Sequence, residues 1–373
     1  MKFKACLKLL LFLALAVRST WGQTPLDTIL PDTRLRDPHV LVDQGSKTYY
    51  LISSIARPAG SGIGVSVFTS KDLQTWKGPT SVYETPKGYW GYGSIWAPEM
   101  HQYKGKYYLF NTYNTKDSIY AQWADWPPRI RRGTAILWSD SSTGPFQAFH
   151  NHSQTPEDQM ALDGTLWVEN GIPYMVYCHE WVQIRDGTVE VVRLKDDLSE
   201  AVGTSQVLFK GSDAPYIDSV QPSYVTDGPY PYRTRTGKLV MIWSSFKANK
   251  YVLILARSKT GSILGPWEQM KDLVYENDGG HGVIFQRLDG ALMLALHQPN
   301  SVAERERLFY LEDTGDAIKI SATAHVYPVT GIGTGKLRVA KAPENTRVTS
   351  SWTWGQAFNE VRTLLGKLVR SPH

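Results

Sequence analysis

A short strand pattern that recurs five times is the strongest constraint on the fold of this chain. Each copy opens with glycine or a polar turn residue and runs into aromatic and aliphatic residues, at 47–54, 105–112, 171–178, 237–244 and 290–297. A second strand pair follows each copy, so each unit is a small antiparallel meander. One meander cannot cover its apolar faces, whereas several packed radially bury both faces and keep the sheet edges short. The repeat therefore predicts an all-β fold, a five-bladed β-propeller.

The repeat also sets the expected domain boundaries. We assign residues 23–345 to the propeller, and the even spacing disfavours the alternative of β-sandwiches in tandem. The segment 346–373 differs, because its apolar residues follow the three- and four-residue steps of one helix face, at Trp354, Phe358, Val361, Leu365 and Leu368. This pattern predicts a C-terminal helix packed outside the propeller. A partner-binding role for that helix is the alternative.

The first 22 residues have the pattern of a secretory signal peptide. Basic residues precede an apolar run at 9–17, and Thr20 and Gly22 occupy the small-residue positions before Gln23. The run is too short to span a bilayer, so we expect a secreted protein, periplasmic or extracellular, with no membrane association after cleavage. Without this segment the net charge is only +1, which disfavours nucleic-acid binding. Cys178 is then the only cysteine and is expected to be a buried, inert thiol in a monomer.

Acidic residues stand just upstream of the recurring strands, where a propeller brings the start of each innermost strand to its central channel. They lie at 37, 99, 163 and 227, separated by 62, 64 and 64 residues. Carboxylates gathered in one channel repel one another, which raises the pKa of at least one of them. Two carboxyl groups of unequal pKa are the minimum for glycoside hydrolysis, in which one protonates the leaving oxygen and the other activates water. For any single aspartate, the alternative is a turn former bonded to local backbone.

These segments resemble the blade-start motifs of glycoside hydrolase family 43, from about residue 32 to about residue 320. The motifs are Arg36-Asp37-Pro38, Trp96-Ala97-Pro98-Glu99, Leu162-Asp163-Gly164, Asp227-Gly228-Pro229 and Gly280-His281-Gly282. The resemblance implies a five-bladed propeller that hydrolyses arabinose-, xylose- or galactose-containing plant polysaccharides with inversion at the anomeric carbon. Segments at 177–183, 213–215 and 225–229 further resemble a less characterised branch of the family.

The resemblance also implies roles for individual residues. It makes Asp37 the general base and Asp163 the carboxylate that orients the acid and tunes its pKa. The family's acid is usually the glutamate of a Glu-Gly-Pro motif, whereas this chain has Asp227, which is shorter by one methylene. Glu180, beside the third recurring strand, is therefore a second candidate for the acid. We expect Glu99 to be structural, binding backbone at a blade turn.

His281 begins the fifth repeat and is expected to face the channel. In related enzymes the matching histidine lies near a bound ion or water, so Ca²⁺ near His281 is one interpretation and a satisfied buried histidine is the other. No cofactor is required for hydrolysis, and no group of His or Cys has zinc-ligand spacing. Aromatic faces suit the C–H surfaces of sugars. The candidates for such stacking are Trp90, Tyr92, Trp96 and Trp181, with blade core as the alternative for each.

Together these features predict a secreted, inverting glycosidase of the α-L-arabinofuranosidase or β-xylosidase type, taken as exo-acting, whose partner is a saccharide. The sequence does not show which sugar or which linkage is hydrolysed, or whether polysaccharide chains are cut internally. One alternative is a carbohydrate-binding propeller that has lost its acid. Another is a β-fructosidase-like hydrolase acting with retention, disfavoured because such enzymes usually start with Asn-Asp-Pro where this chain has Arg36-Asp37-Pro38.

Overall fold

The computed structural model describes residues 27–28, 33–54, 61–214, 216–218 and 223–321 as five antiparallel sheets arranged as the blades of a propeller. Helix is confined, within these residues, to the four-residue α1 (Trp181–Ile184) and a 3₁₀ turn at Gly211–Asp213. The predicted all-β five-bladed propeller is confirmed. The predicted signal peptide at 1–22 and the predicted helix in the 346–373 tail lie outside the described residues.

The strands follow the order of the repeat. Blade 1 contains β1 (Asp27–Thr28), β2 (His39–Asp43), β3 (Thr48–Ile52), β4 (Gly64–Ser70) and β5 (Trp76–Glu84). Blade 2 contains β6 (Ser94–Tyr103), β7 (Lys106–Ser118), β8 (Ile130–Ser139) and β9 (Gln147–Ala148). Blade 3 contains β10 (Ala161–Glu169), β11 (Ile172–His179), β12 (Thr188–Leu194) and β13 (Ala201–Lys210).

Blade 4 contains β14 (Asp227–Arg233), β15 (Leu239–Lys247), β16 (Lys250–Ser258) and β17 (Trp267–Gln269), and blade 5 contains β18 (Gly280–Gln286), β19 (Leu292–Gln298), β20 (Arg305–Asp313) and β21 (Ile318–Ile320). Each sheet is a meander in chain order, and β1 adds to the outer side of β5. The innermost strands β2, β6, β10, β14 and β18 contact one another in succession, and β18 contacts β2. Among the strands that the structure describes, the ring therefore closes through contact of the innermost strands and no strand is shared between the first and last blades.

The apolar core lies between the blades. Five clusters of buried side chains occupy the five interfaces between neighbouring blades, among them Trp243 between blades 3 and 4, Tyr113 between blades 1 and 2, and Trp76 between blades 5 and 1. Every blade thus buries both faces against its neighbours. This is the physical reason that the repeat required a ring, since a single meander would leave one or both faces in water.

A left-handed residue marks the start of every innermost strand. The five residues with positive φ are Asp37 (51°), Ala97 (39°), Asp163 (57°), Gly228 (52°) and His281 (51°). In blades 2 to 5 the strand register shifts at this point, as at a β-bulge. These positions define the true register of the repeat. The alignment of Glu99 and Asp227 with Asp37 and Asp163 was therefore wrong, because Ala97 and Gly228 are the equivalent residues.

Side chains of the preceding blade accept the backbone N–H of most of these left-handed residues. The donor–acceptor distances are 2.7 Å from Ala97 to Ser54 Oγ, 2.8 Å from Asp163 to Thr112 Oγ1, 2.8 Å from His281 to Ser244 Oγ and 3.4 Å from Asp37 to His297 Nδ1. These bonds hold an unfavourable conformation of non-glycine residues in place. They also join successive blades around the channel.

Blade 3 differs from this pattern. Cys178 lies opposite Leu162 in the same way that Ser244 lies opposite Asp227. Its thiol is fully buried, and burial raises its pKa well above the usual value. A thiol is a weak acceptor, and the N–H of Gly228 instead donates to Asp163 Oδ2 at 2.9 Å. The buried state predicted for Cys178 is confirmed. Because its thiol is a weak acceptor, the N–H of Gly228 is bound by Asp163 instead.

No helix within the described ranges has the length and apolarity needed to cross a bilayer.

Candidate active site

Three aspartates from different blades meet around His281. The His281 Nδ1 atom lies 3.3 Å from Asp37 Oδ1 and 3.8 Å from Asp163 Oδ2. Asp163 accepts the N–H of Gly228, which directly follows Asp227. Asp37, Asp163 and Asp227, which are more than 60 positions apart in the sequence, therefore lie close together at the starts of their blades. The three aspartates that the sequence predicted to converge are brought together, with His281 among them.

Asp37 is a buried but ionised carboxylate. Burial alone would raise its pKa, but the positive charges of His281, Arg36 and His297 and a hydrogen bond from Ser54 lower the pKa to about 2. The Ser54 hydroxyl donates to Oδ2 at 2.8 Å, and the Arg36 Nε lies 3.6 Å from Oδ1. Asp37 is therefore deprotonated throughout the neutral range, the state in which a carboxylate accepts a proton from water.

Asp163 and Asp227 have the opposite electrostatic character. Burial raises the pKa of both, and although the charge of His281 opposes the shift, the charges of the neighbouring aspartates add to it. The Tyr251 hydroxyl donates to Asp227 Oδ2 at 3.0 Å, which offsets part of the increase at that residue. Because two neighbouring buried carboxylates resist double ionisation, this pair retains a proton at a pH at which Asp37 has lost its own.

His281 balances the negative charge of the three aspartates. Burial lowers its pKa, but the charges of Asp37, Asp163 and Asp227 outweigh burial and raise the pKa above its usual value. The two groups of three or more metal-ligating side chains in the described ranges do not include His281. Calcium takes six to eight oxygen ligands, and the Nδ1 side of His281 already faces two carboxylates. The side chains present do not form a calcium cage, and Ca²⁺ near His281 stays a prediction.

Glu180 is held in a buried ion pair. Only 1% of this residue is exposed, and its Oε2 atom accepts a hydrogen bond from the Arg132 guanidinium. Arg132 also donates to Asn114 Oδ1 and lies over the Trp96 ring, 4.3 Å from its centroid. The charge of Arg132 favours the ionised form of Glu180. A general acid must carry a proton, so this environment favours Asp227 over Glu180 for that role.

Glu99 is buried among histidines rather than bonded to backbone. Its Oε2 atom lies 2.8 Å from His101 Nε2 and 3.9 Å from His39 Nε2. Burial would raise its pKa, but the hydrogen bond from His101 and the charge of His39 lower it. The structural role expected for Glu99 fits this placement, whereas the expected bond to turn backbone was wrong.

The aromatic candidates divide by exposure. Trp90 is 7% exposed and packs against Tyr89 and Tyr113, and Trp181 is 5% exposed with its ring against the edge of Trp126. This packing gives no support to the prediction that these two tryptophans stack on a sugar. Trp96 is partly exposed at the start of β6 with Arg132 on one ring face.

Tyr92 is exposed, and its hydroxyl donates to Asp117 Oδ1 at 2.7 Å. Trp96 and Tyr92 are therefore the candidates that present a surface to a ligand.

Several residues that shape the site were not singled out by sequence reasoning. Ser54, Thr112, Ser244 and His297 hold the blade starts, Tyr251 contacts Asp227, and Arg132 contacts Glu180. The first four are the last residues of recurring copies of the repeat. The end of each repeat copy pairs with the start of a blade. A polar residue at the last position of a copy was therefore the sequence signal that could have identified them. Tyr251 and Arg132 have no comparable mark in the sequence.

Known proteins resemble this chain over most of the propeller. An endo-arabinase from Bacteroides thetaiotaomicron VPI-5482 superposes with a TM-score of 0.68 at 37% identity, covering 75% of this chain and 95% of that one. An endo-1,4-beta-xylanase from the same organism superposes with a TM-score of 0.64 at 21% identity, covering 81% and 98%. At that identity the likeness shows the fold alone.

A shorter match concerns the extracellular endo-alpha-(1->5)-L-arabinanase 1 of Bacillus subtilis (strain 168), which is 32% identical over 82 residues. The match spans 20% of this chain and about a quarter of that enzyme. Residues 29–314, which include all five blade starts and the three aspartates, match the family described as glycosyl hydrolases family 43. With this match over most of its length, the chain belongs to glycoside hydrolase family 43.

Proposed function

We propose that this chain is a secreted, inverting hydrolase of the arabinofuranosyl linkages of arabinan-type plant polysaccharide. The observation that carries the proposal is the split in pKa within one channel, where Asp37 is held ionised while the Asp163 and Asp227 pair holds a proton. An acid and a base of this kind are what glycoside hydrolysis requires. Secretion rests on the signal-like segment at 1–22.

The reaction assigns each carboxyl group one role. Asp37 removes a proton from water as the water oxygen bonds to the anomeric carbon. Asp227 gives its proton to the glycosidic oxygen as the bond from that oxygen to the anomeric carbon breaks. Asp163, fixed by the Gly228 N–H, shares one proton with Asp227, because two neighbouring buried carboxylates resist double ionisation. Solvent then returns the proton from Asp37 to Asp227. Because water attacks the face opposite the leaving group, the configuration inverts.

The choice of arabinan is supported by the endo-arabinase from Bacteroides thetaiotaomicron VPI-5482, whose 37% identity over most of both chains exceeds that of the xylanase. We expect purified protein to release arabinose or arabino-oligosaccharides from linear arabinan, with little action on xylan or galactan. Product lengths with time distinguish internal from terminal cutting, and NMR of the first product should show the inverted anomer. A retained anomer would support the β-fructosidase-like alternative, and calorimetric binding without turnover would support a binding propeller.

The pH dependence of kcat should have an alkaline limb set by the shared proton of Asp163 and Asp227. The proton is lost as pH rises through their raised pKa values, so activity falls with increasing pH. The acidic limb, set by protonation of Asp37, would appear only as pH falls toward about 2. Asp163→Asn leaves Asp227 without the carboxyl group that shares its proton, so the alkaline limb should move down by about 1–2 pH units.

Asparagine suits this position because it tolerates the left-handed backbone of residue 163 (φ 57°). Intact mass must exclude deamidation at the new Asn-Gly pair. The matched control is Asp140→Asn, since Asp140 is exposed and pairs with Lys106 at the surface, and its profile should equal that of the wild type. An unmoved alkaline limb in Asp163→Asn would contradict the assigned tuning role.

A further inference from the structure

Three metal-ligating side chains from neighbouring blades converge away from the aspartate site. His150 and His152 follow β9 at the outer edge of blade 2, and Glu200 lies in the turn between β12 and β13 of blade 3. Glu200 Oε1 is 2.9 Å from His150 Nε2 and 3.5 Å from His152 Nε2. The side chains are 40%, 39% and 27% exposed, so an ion can enter from solvent.

The geometry points to a site for a single zinc-class divalent cation at His150, His152 and Glu200. A tetrahedral ion with ligand bonds of about 2.0–2.1 Å holds neighbouring ligand atoms about 3.3 Å apart. The two nitrogen-to-oxygen distances bracket that value, and all three ligand atoms lie within 4.8 Å of one another. Two imidazoles and one carboxylate, with water as a fourth ligand, favour Zn²⁺ over the oxygen-seeking Ca²⁺.

The orientation of the two rings supports a ligand role. They stack with centroids 5.1 Å apart and planes within 5°, which turns both Nε2 atoms toward the same carboxylate oxygen. His152 Nδ1 lies 2.9 Å from the carbonyl oxygen of Ser153, which only accepts, so Nδ1 carries a proton. The Nε2 atom of a neutral His152 therefore presents a lone pair to Glu200. A cation bound between the Nε2 lone pair and the carboxylate oxygen removes their mutual repulsion. A hydrogen bond from Nδ1–H to a carbonyl oxygen is the usual support for a histidine that binds metal through Nε2.

Other hydrogen bonds hold the two loops in place. The Gln154 side chain donates from Nε2 to the carbonyl oxygen of Ser199 at 2.9 Å, beside Glu200. Between the two histidines, Asn151 Oδ1 accepts the N–H of Trp90 at 2.8 Å, and its Nδ2 donates to the carbonyl oxygen of Gly88 at 3.3 Å. An ion at this site would tie blade 2 to blade 3. It would also restrain the loop that carries Trp90.

No zinc-ligand spacing is visible in the sequence, because the carboxylate comes from the next blade. His150 and His152 form a local pair, but Glu200 is 48 residues beyond His152. The adjacency of the β9 loop to the β12–β13 turn is a property of the ring and is not encoded in local spacing.

The test measures thermal unfolding of EDTA-treated, desalted full-length protein at about pH 8, where histidine is ordinarily neutral, with and without ZnCl₂. At about 100 times the dissociation constant, we expect the wild-type Tm to rise by about 5 °C. His150→Gln and Glu200→Gln should lose this rise, while CaCl₂ should give none in any variant. Asp196→Asn, an exposed carboxylate in the same turn as Glu200, should keep the full response to zinc.

X-ray absorption of the wild-type zinc complex gives a second readout that does not depend on variants. The expected first shell contains two imidazole nitrogens with oxygen ligands. The proposal is overturned by an unchanged wild-type Tm with zinc, by an equal rise in His150→Gln, by the same rise with calcium, or by a first shell without imidazole.

Discussion

Asp37→Asn should lower kcat on arabinan by about 10³–10⁴-fold, the largest effect expected of a single substitution at this site. An amide cannot take a proton from water, and a positioned general base contributes about 10²–10⁴ in rate, with the upper end expected because Asp37 is held ionised. Asparagine tolerates the left-handed conformation at this position (φ 51°) and keeps an oxygen to accept from Ser54. The measurement is steady-state kinetics on linear arabinan.

The same substitution should also cost stability. The pKa of Asp37 is lowered to about 2 in the folded chain, so its charge stabilises the fold above the unfolded pKa and this contribution is lost as pH falls toward 2. At neutral pH the neutral amide forgoes about 2 kcal/mol of this attraction, and Tm should fall by about 4 °C. Assays are therefore made well below the Tm of the variant.

Ser54→Ala is the matched control for the loss of stability. It removes a hydrogen bond to Asp37 and the acceptor for the N–H of Ala97, but it keeps the carboxylate. We expect a comparable decrease in Tm with less than about a tenfold loss of kcat. Near wild-type activity in Asp37→Asn, measured on folded protein, would remove Asp37 from the role of base.

The sequence predicted the ring and its central carboxylates because both depend on the periodicity of the repeat. Five units that each lack a partner for their apolar faces have few ways to bury them, and a ring brings their starting points together. Asp37 and Asp163 were therefore placed correctly at the channel. Their register with the other blades was not, because a one- or two-residue offset at a β-bulge leaves the apolar pattern of the strand that follows unchanged.

Contacts between blades were the part that sequence reasoning could not supply. Whether Glu180 is free or paired depends on Arg132, which reaches it from blade 2 across 48 positions of sequence. Whether Trp90 or Trp181 faces solvent depends on the loops packed over it, and an aromatic residue near a blade start looks the same in either case. The residues that hold the blade starts were visible only as the last positions of the repeat copies.

Asp227→Ala should lower kcat on arabinan by about 10²–10⁴-fold while sparing an activated substrate. Polysaccharide hydrolysis expels a sugar alkoxide that needs protonation, whereas nitrophenyl arabinofuranoside expels a stable phenolate that does not. The ratio of the variant's kcat to the wild-type kcat should therefore be much closer to one on the aryl substrate than on arabinan. Because Asp227 carries the proton of a pair with Asp163, the alkaline limb assigned to that pair should also disappear.

Glu180→Gln distinguishes the two candidates for the acid, because we expect it to lower the stability of the fold rather than remove the catalytic proton. Removing the charge of Glu180 breaks its buried ion pair with Arg132, and breaking a buried ion pair costs about 3–5 kcal/mol. Tm should fall by about 6–10 °C, and any loss of kcat should be equal on arabinan and on the aryl substrate. If folded Glu180→Gln instead recovered selectively on the aryl substrate while Asp227→Ala did not, the proton would come from Glu180, and Asp227 would be left with a charge-balancing role beside Asp163.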